Sequence, residues 1–146
     1  MLICKMKHKS GFVNIIGNPN VGKSTLMNSL IGQDLSIITS KAQTTRHRIK
    51  GILSNENYQI VFSDTPGVIK PAYKLQESMM QYVKSAFQDA DVIMYVVEIG
   101  EKGLKDNDIF DKVQQLKIPL IILLNKIDLV SQEKVLKEIE NWTSKF

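Results

Sequence analysis

Residues 11–24 read GFVNIIGNPNVGKS: a short apolar run, GFVNIIG at 11–17, leads directly into Gly17-Asn18-Pro19-Asn20-Val21-Gly22-Lys23-Ser24. The second part has the pattern GxxxxGK[ST], and it stands where that pattern carries meaning, between a β-type segment and an expected helix start. Its glycines let successive backbone N–H groups close around phosphates at a helix N-terminus. Lys23 can reach the outer phosphates, and the Ser24 hydroxyl can ligate Mg²⁺. The stretch therefore predicts a nucleoside phosphate site, with Asn18, Pro19, Asn20, Val21, Gly22, Lys23, Ser24 and Thr25 as its contacts. A glycine-rich turn that merely precedes a lysine is the bland alternative, and the strand-to-helix context argues against it.

Beyond this loop, YQIVFSD (58–64), DVIMYVV (91–97) and IPLIILL (118–124) are further apolar, β-rich runs. Most are nearly continuous in hydrophobicity, as strands covered on both faces are. Between them Leu75, Met79, Val83 and Ala86 recur at helical spacing, as do Ile109, Val113 and Leu116, and then Val135, Ile139 and Trp142 after Ser131. Such an alternation predicts an α/β fold: a mostly parallel sheet, helices on both faces, and ligand sites at the carboxyl ends of the strands. Residues 48–54 pair plausibly with 58–64 through Asn55-Glu56-Asn57, adding one antiparallel strand. Residues 33–47 have no clear pattern, and a loop of that length inside one domain is usually functional.

Two more strand ends carry chemistry. Asp64-Thr65-Pro66-Gly67 puts a carboxylate at the sheet edge, where it can hold Mg²⁺ while the Gly67 N–H meets a terminal phosphate. Alone, DTPG is only a good turn sequence. At the end of the next strand but one, Asn125-Lys126-Ile127-Asp128 selects a base. The Asp128 carboxylate accepts from N1–H and the 2-amino group of guanine; adenine offers no such pair and would leave the charge unmatched. Asn125 can tie this loop to the phosphate loop, and the aliphatic stem of Lys126 can cover the base. NKID in isolation would be a polar loop, but the three motifs follow in order along the chain, each at a strand end.

The totals set the frame. At 146 residues and 43% hydrophobic content the chain is one domain long. Its charge of +4 is a mild excess that favours phosphate-rich partners without specifying one. The longest apolar stretch, 118–124, is far short of the roughly 20 residues of a membrane span. Residues 1–9 form an expected flexible basic leader without signal-peptide character, in which Met6 is an alternative start. The single cysteine, Cys4, cannot form an intramolecular disulfide and points to a reducing cytosol. Gly100-Glu101-Lys102-Gly103 matches the GxxG of RNA-binding KH loops but follows a strand of this domain, so it is expected to be a turn.

GNPNVGKST, KAQTTRHRIKGI, DTPG and NKID together resemble the Era-type bacterial GTPases, over roughly residues 10–140. The phosphate loop, DTPG and NKID are shared by the wider Ras-like P-loop class; KAQTTRHRI is the stretch that indicates the Era type. The resemblance implies a Ras-like fold, GTP or GDP with Mg²⁺ as ligands, and hydrolysis of GTP by water. It makes Thr45 the switch threonine that joins Ser24 and Asp64 on Mg²⁺, with Thr44 as the lesser choice, and assigns Lys23, Thr45, Gly67 and Asn20 to catalysis. Ras-like enzymes orient the attacking water with a glutamine after the DxxG glycine; here that residue is Val68, which predicts slow turnover. In some relatives the asparagine at position 20 positions K⁺ as an added charge, while a purely loop-shaping role for Asn20 stands equally open. The resemblance further implies a cytoplasmic monomer with peripheral membrane association in the family, and small-subunit ribosomal RNA as partner of the full-length protein. Against the family pattern, residues 10–146 are expected to form a partial G domain, without the last strand and helix and without the KH domain. Two rivals remain: a nucleotide-binding module without turnover, and a P-loop enzyme acting on ATP.

Overall fold

The computed structural model describes residues 8–39 and 44–146. Its elements alternate as the sequence predicts: β1 (Lys9–Ile16), α1 (Lys23–Ile31), β2 (Ile49–Ser54), β3 (Tyr58–Asp64), α2 (Lys74–Ala86), β4 (Val92–Glu98), α3 (Asn107–Gln114), β5 (Leu120–Asn125) and α4 (Gln132–Thr143). The sheet order is β2-β3-β1-β4-β5. β1 pairs in parallel with both β3 and β4, and β4 with β5, while β2 runs antiparallel to β3. The β2–β3 turn is closed by Asn55, whose side-chain oxygen accepts from the N–H groups of Asn57 and Tyr58 at 2.8 and 2.9 Å.

Alternation along the strands sorts side chains between two cores. Ile15, Phe62 and Val96 pack with Val21 and with Met27 of α1 on one face. Ile16, Ile93, Tyr95 and Val97 pack on the other face with Met79, Met80 and Val83 of α2, Ile109 and Val113 of α3, and Trp142 of α4. Fully burying a side chain of this size stabilises by about 1.5–3 kcal/mol. The result is the α/β fold with helices on both faces, and it brings the ends of β1, β3 and β5 to one edge.

Several details differ from expectation. β1 begins at Lys9, whose N–H donates to Asn57 O at 3.0 Å, so the last residue assigned to a leader is already in the sheet. Residues 1–7, with Cys4 and Met6, lie outside the described residues. In α2, Leu75 is 45% exposed, and Gln76 and Met80 are the inward residues beside Met79 and Val83. Gln76 accepts from the Ala72 N–H at 2.8 Å, a helix-entry bond that turns it inward. Leu116 lies beyond the end of α3. In α4 only Trp142 is buried, while Leu136 and Ile139 are 57% and 47% exposed. β5 stands at the sheet edge without a fully buried residue. Among the described residues no helix is long and apolar enough to cross a membrane.

Candidate nucleotide-binding site

The phosphate loop gets its shape from two glycines. Gly17 leaves β1 so close to β4 that an added Cβ would lie 2.3 Å from Val96 O. Gly22 caps α1 at φ 100°, and a Cβ there would meet Asn125 Nδ2. Asn20 also takes a left-handed conformation, φ 64°, which asparagine tolerates better than most residues. Among the described residues no side chain caps α1, so the N–H groups of its first turn are offered to an anion.

Lys23 folds back into this loop. Its ammonium donates to Asn18 O at 2.7 Å and Gly17 O at 3.1 Å and is almost wholly buried. Burial lowers its pKa from 10.5 to about 8, against the opposing pull of the Asp64 and Glu101 charges. Without phosphate, this is a costly place for a cation.

Three hydroxyl and carboxylate groups converge beside it. Ser24 Oγ donates to Asp64 Oδ2 at 2.6 Å, Thr45 Oγ1 lies 3.3 Å from Ser24 Oγ, and Thr45 Oγ1 donates to Asp64 Oδ2 at 3.5 Å. Thr44 Oγ1 instead lies 2.8 Å from Thr39 Oγ1. Burial raises the Asp64 pKa, and the Ser24 bond and the Lys23 charge offset part of that rise. The other Asp64 oxygen is buried with no hydrogen-bond partner among the described residues. Two hydroxyls and a carboxylate so clustered, with the second carboxylate oxygen left unpaired, fit a small divalent cation such as Mg²⁺.

The DTPG loop is locked to the same place. Thr65 Oγ1 donates to Ile15 O at 2.7 Å and the Val68 N–H to Gly17 O at 2.9 Å. Gly67 lies against Pro19: a Cβ would sit 2.7 Å from the Pro19 N and Cα. Val68 is fully buried in the α2-side core, so position 68 is a packing position.

At the end of β5, Asn125 Nδ2 donates to Val21 O at 2.8 Å, the tie to the phosphate loop that the sequence predicts. Lys126 is left-handed, φ 59°, and its ammonium pairs with Glu98 at 2.8 Å. Asp128 lies on an exposed 3₁₀ turn at Ile127–Leu129.

A cavity of about 610 Å³ joins these parts, the size of a small-ligand site. Of the predicted residues, Pro19, Asn20, Gly22, Lys23, Ser24, Thr25, Thr45, Gly67, Asn125 and Lys126 line it. Asn18, Val21, Asp64 and Asp128 do not. Asp64 reaches it through Ser24 and Thr45, Val21 is core, and Asp128 lies two residues past the wall. The Asn18 side chain is turned away: it donates to Glu101 at 3.0 Å and Gly103 O at 2.9 Å and accepts from the Lys105 N–H at 2.9 Å. Sequence reasoning missed this clamp and the wall formed by Ile37, Ile38 and Thr39. The GEKG segment is indeed a turn, with Gly100 at φ 91°, but its Glu101 also accepts from the Glu98 N–H at 3.2 Å. The only prior sign of the wall was the long unpatterned stretch 33–47, of which 40–43 lie outside the described residues.

Fold and site together define a P-loop nucleotide-binding protein. Residues 12–126 match the family described as 50S ribosome-binding GTPase, and the chain belongs to that family. Within it the chain is similar to GTPase Era: it is 45% identical over 139 residues to the Staphylococcus epidermidis protein, covering 94% of this chain and 46% of the relative. The chain thus spans about half the length of the curated relatives it matches. A crystal structure of Era in complex with MgGDPNP and nucleotides 1506–1542 of 16S ribosomal RNA aligns with a TM-score of 0.87 at 39% identity, over 95% of this chain and 48% of that one. NFeoB from S. thermophilus, bound to GDP.AlF4⁻ and K⁺, aligns with a TM-score of 0.63 at 28% identity, over 82% of this chain and 45% of that one.

Proposed function

We propose that this chain binds guanine nucleotide with Mg²⁺ and hydrolyses GTP slowly by attack of water on the γ-phosphate. The observation that carries the proposal is the clustering of Lys23, Ser24 and Thr45 on the wall of a cavity that the phosphate loop, Asn125 and Lys126 also line, with Asp64 bonded to Ser24 and Thr45 behind them. Bound phosphates would draw the Lys23 ammonium from the Gly17 and Asn18 carbonyls and keep it charged. The α1 N-terminus and the Gly67 N–H would face the phosphate oxygens, and Asp128 the guanine edge. Mg²⁺, when bound by Ser24, Thr45 and Asp64, would neutralise charge building on the β- and γ-phosphates. Residues 33–47 and 64–75 would report the nucleotide state.

No side chain at position 68 can hold the attacking water, because Val68 faces the core. This supports a low intrinsic rate. Asn20 lines the cavity, and the likeness to NFeoB supports K⁺ as an additional charge there; equal turnover in K⁺ and Na⁺ would remove that role. The output we assign is small ribosomal subunit assembly, by likeness to the relative solved with 16S ribosomal RNA. The family description names the large subunit, but a relative at 39% identity is the nearer guide.

Base choice tests the reading. GTP and GDP should displace a fluorescent guanine nucleotide where ATP does not, and Asp128→Asn should erode that preference by about 10²-fold or more. Equal competition by ATP would point to the ATP-acting alternative.

A further inference from the structure

The α2-facing side of the sheet holds a polar pair where apolar residues would be expected. Asn14 of β1 and Ser63 of β3 are both fully buried there. Arg48, just ahead of β2, satisfies them. Its Nε donates to Ser63 Oγ at 3.0 Å and its Nη2 to Asn14 Oδ1 at 3.2 Å. The far side of the guanidinium forks onto Asp89, Nη1 to Oδ2 at 2.9 Å and Nη2 to Oδ1 at 3.0 Å, and Nη1 lies 3.4 Å from Ser85 Oγ. Asn14 Nδ2 completes the set, donating to Ala86 O at 2.6 Å and Asp89 Oδ1 at 2.8 Å. One position upstream, the His47 ring packs edge-on against Tyr82 of α2, with centroids 5.2 Å apart.

The chain leaving Thr45 is therefore pinned to α2 at two successive residues. Three residues span at most about 10 Å, so an anchor at 48 restricts where the Thr45 hydroxyl can lie. Asp89 is itself held charged: burial pushes its carboxyl up, but the hydrogen bonds and charge of Arg48, with Asn14, bring it below the usual carboxylate range. Only a planar fork makes all these bonds at once, and a lysine cannot.

We propose that Arg48 is a positioning residue for Thr45: seated on Asn14 and Ser63 and forked onto Asp89, it pre-orders the 44–47 segment so that Thr45 stays beside Ser24 and Asp64. This rests on Thr45 being the threonine that engages the metal when a γ-phosphate is present. Ordering a segment in advance removes an entropy cost from the state that uses it. GDP, held by the phosphate loop and the base loop, does not draw on that order. Arg48 thus sets how strongly the triphosphate is preferred over the diphosphate, and through Asp89 it couples that preference to the end of α2.

The test is a titration with GDP and with a non-hydrolysable GTP analogue, in Mg²⁺, of wild type, Arg48→Lys and Asp89→Asn, with thermal melts confirming folding. Both variants are expected to lose about ten-fold of the preference for the analogue while GDP affinity stays within about two-fold. Thr45→Ala should lose preference in the wild-type background and little more in Asp89→Asn. A merely structural Arg48 would lower both affinities together or leave both unchanged, and either result overturns the inference. A wild type without preference in Mg²⁺ overturns the Thr45 reading itself, and the inference with it.

Discussion

Replacing Lys23 by methionine tests how the phosphate loop stores its affinity. In the nucleotide-free protein the buried ammonium donates to two carbonyls and is drawn by the Asp64 and Glu101 charges, yet burial still lowers its pKa from 10.5 to about 8. Between those two values the unfolded chain binds more protons than the native one, so stability must rise with pH across that window. Below pH 8 the penalty is fully present, at about 3 kcal/mol, and it fades as pH approaches the unfolded value. Of this, about 1 kcal/mol should be recovered between pH 7 and 9. A methionine side chain cannot titrate. It keeps the aliphatic bulk and gives up two hydrogen bonds of about 1 kcal/mol each, so at pH 7 relief of the burial penalty exceeds that loss by about 1 kcal/mol. Urea denaturation of both proteins in EDTA, without nucleotide, at pH 7, 8 and 9 should show wild type gaining on Lys23→Met by about 1 kcal/mol. Nucleotide affinity should meanwhile fall about 10- to 150-fold, the worth of a charged hydrogen bond of about 1.5–3 kcal/mol. Parallel stability profiles would refute the argument that burial, relieved by phosphate, governs this lysine.

Four further outcomes follow from the geometry. Gly67→Ala should cost of order 1–3 kcal/mol, because its Cβ would meet Pro19 backbone at 2.7 Å with no flexible group to yield; a melting curve matching wild type contradicts this. Val68→Gln places an amide in the α2-side core and should cost about 1–3 kcal/mol without raising the rate of phosphate release; faster release would mean that position 68 does reach water. Asn125→Ala removes the bond to Val21 O and should weaken both GDP and GTP by about 1–3 kcal/mol, seen by calorimetry as an equal loss. Asp64, its pKa raised by burial, must be ionised to hold Mg²⁺, so the magnesium dependence of nucleotide affinity should fade as pH drops through that raised value, above where an ordinary carboxylate would lose it. Asp64→Asn should show little magnesium dependence at any pH.

The fold was legible because its signals are local. Apolar runs, their spacing, and motifs at strand ends need no partner to be recognised, so β1, β3, β4, β5 and the phosphate loop fall where the pattern puts them. Leu75 against Gln76 shows the limit: spacing alone does not fix the phase of a helix whose entry is set by a side-chain bond to Ala72. In α4 the apolar period at Val135 and Ile139 says that a face exists, not that a neighbour covers it. At the site, Lys23, Ser24, Asp64 and Asn125 were readable because their chemistry is tied to fixed spacing. The inward turn of the Asn18 side chain is not legible, because its place in the loop is visible in the sequence and its partners, 83 and more residues away, are not. The Arg48 network is hidden for the same reason: from just ahead of β2 it joins β1, β3 and the end of α2 across the face of the sheet.

Single-turnover release of inorganic phosphate tests the central claim most directly. With enzyme in excess over GTP, in Mg²⁺ and K⁺, phosphate should appear slowly but well above the rate of free nucleotide, stop on addition of EDTA, and fall to background in Asp64→Ala. Nucleotide that stays bound as GTP, with no release above background, would contradict hydrolysis and leave a binding module.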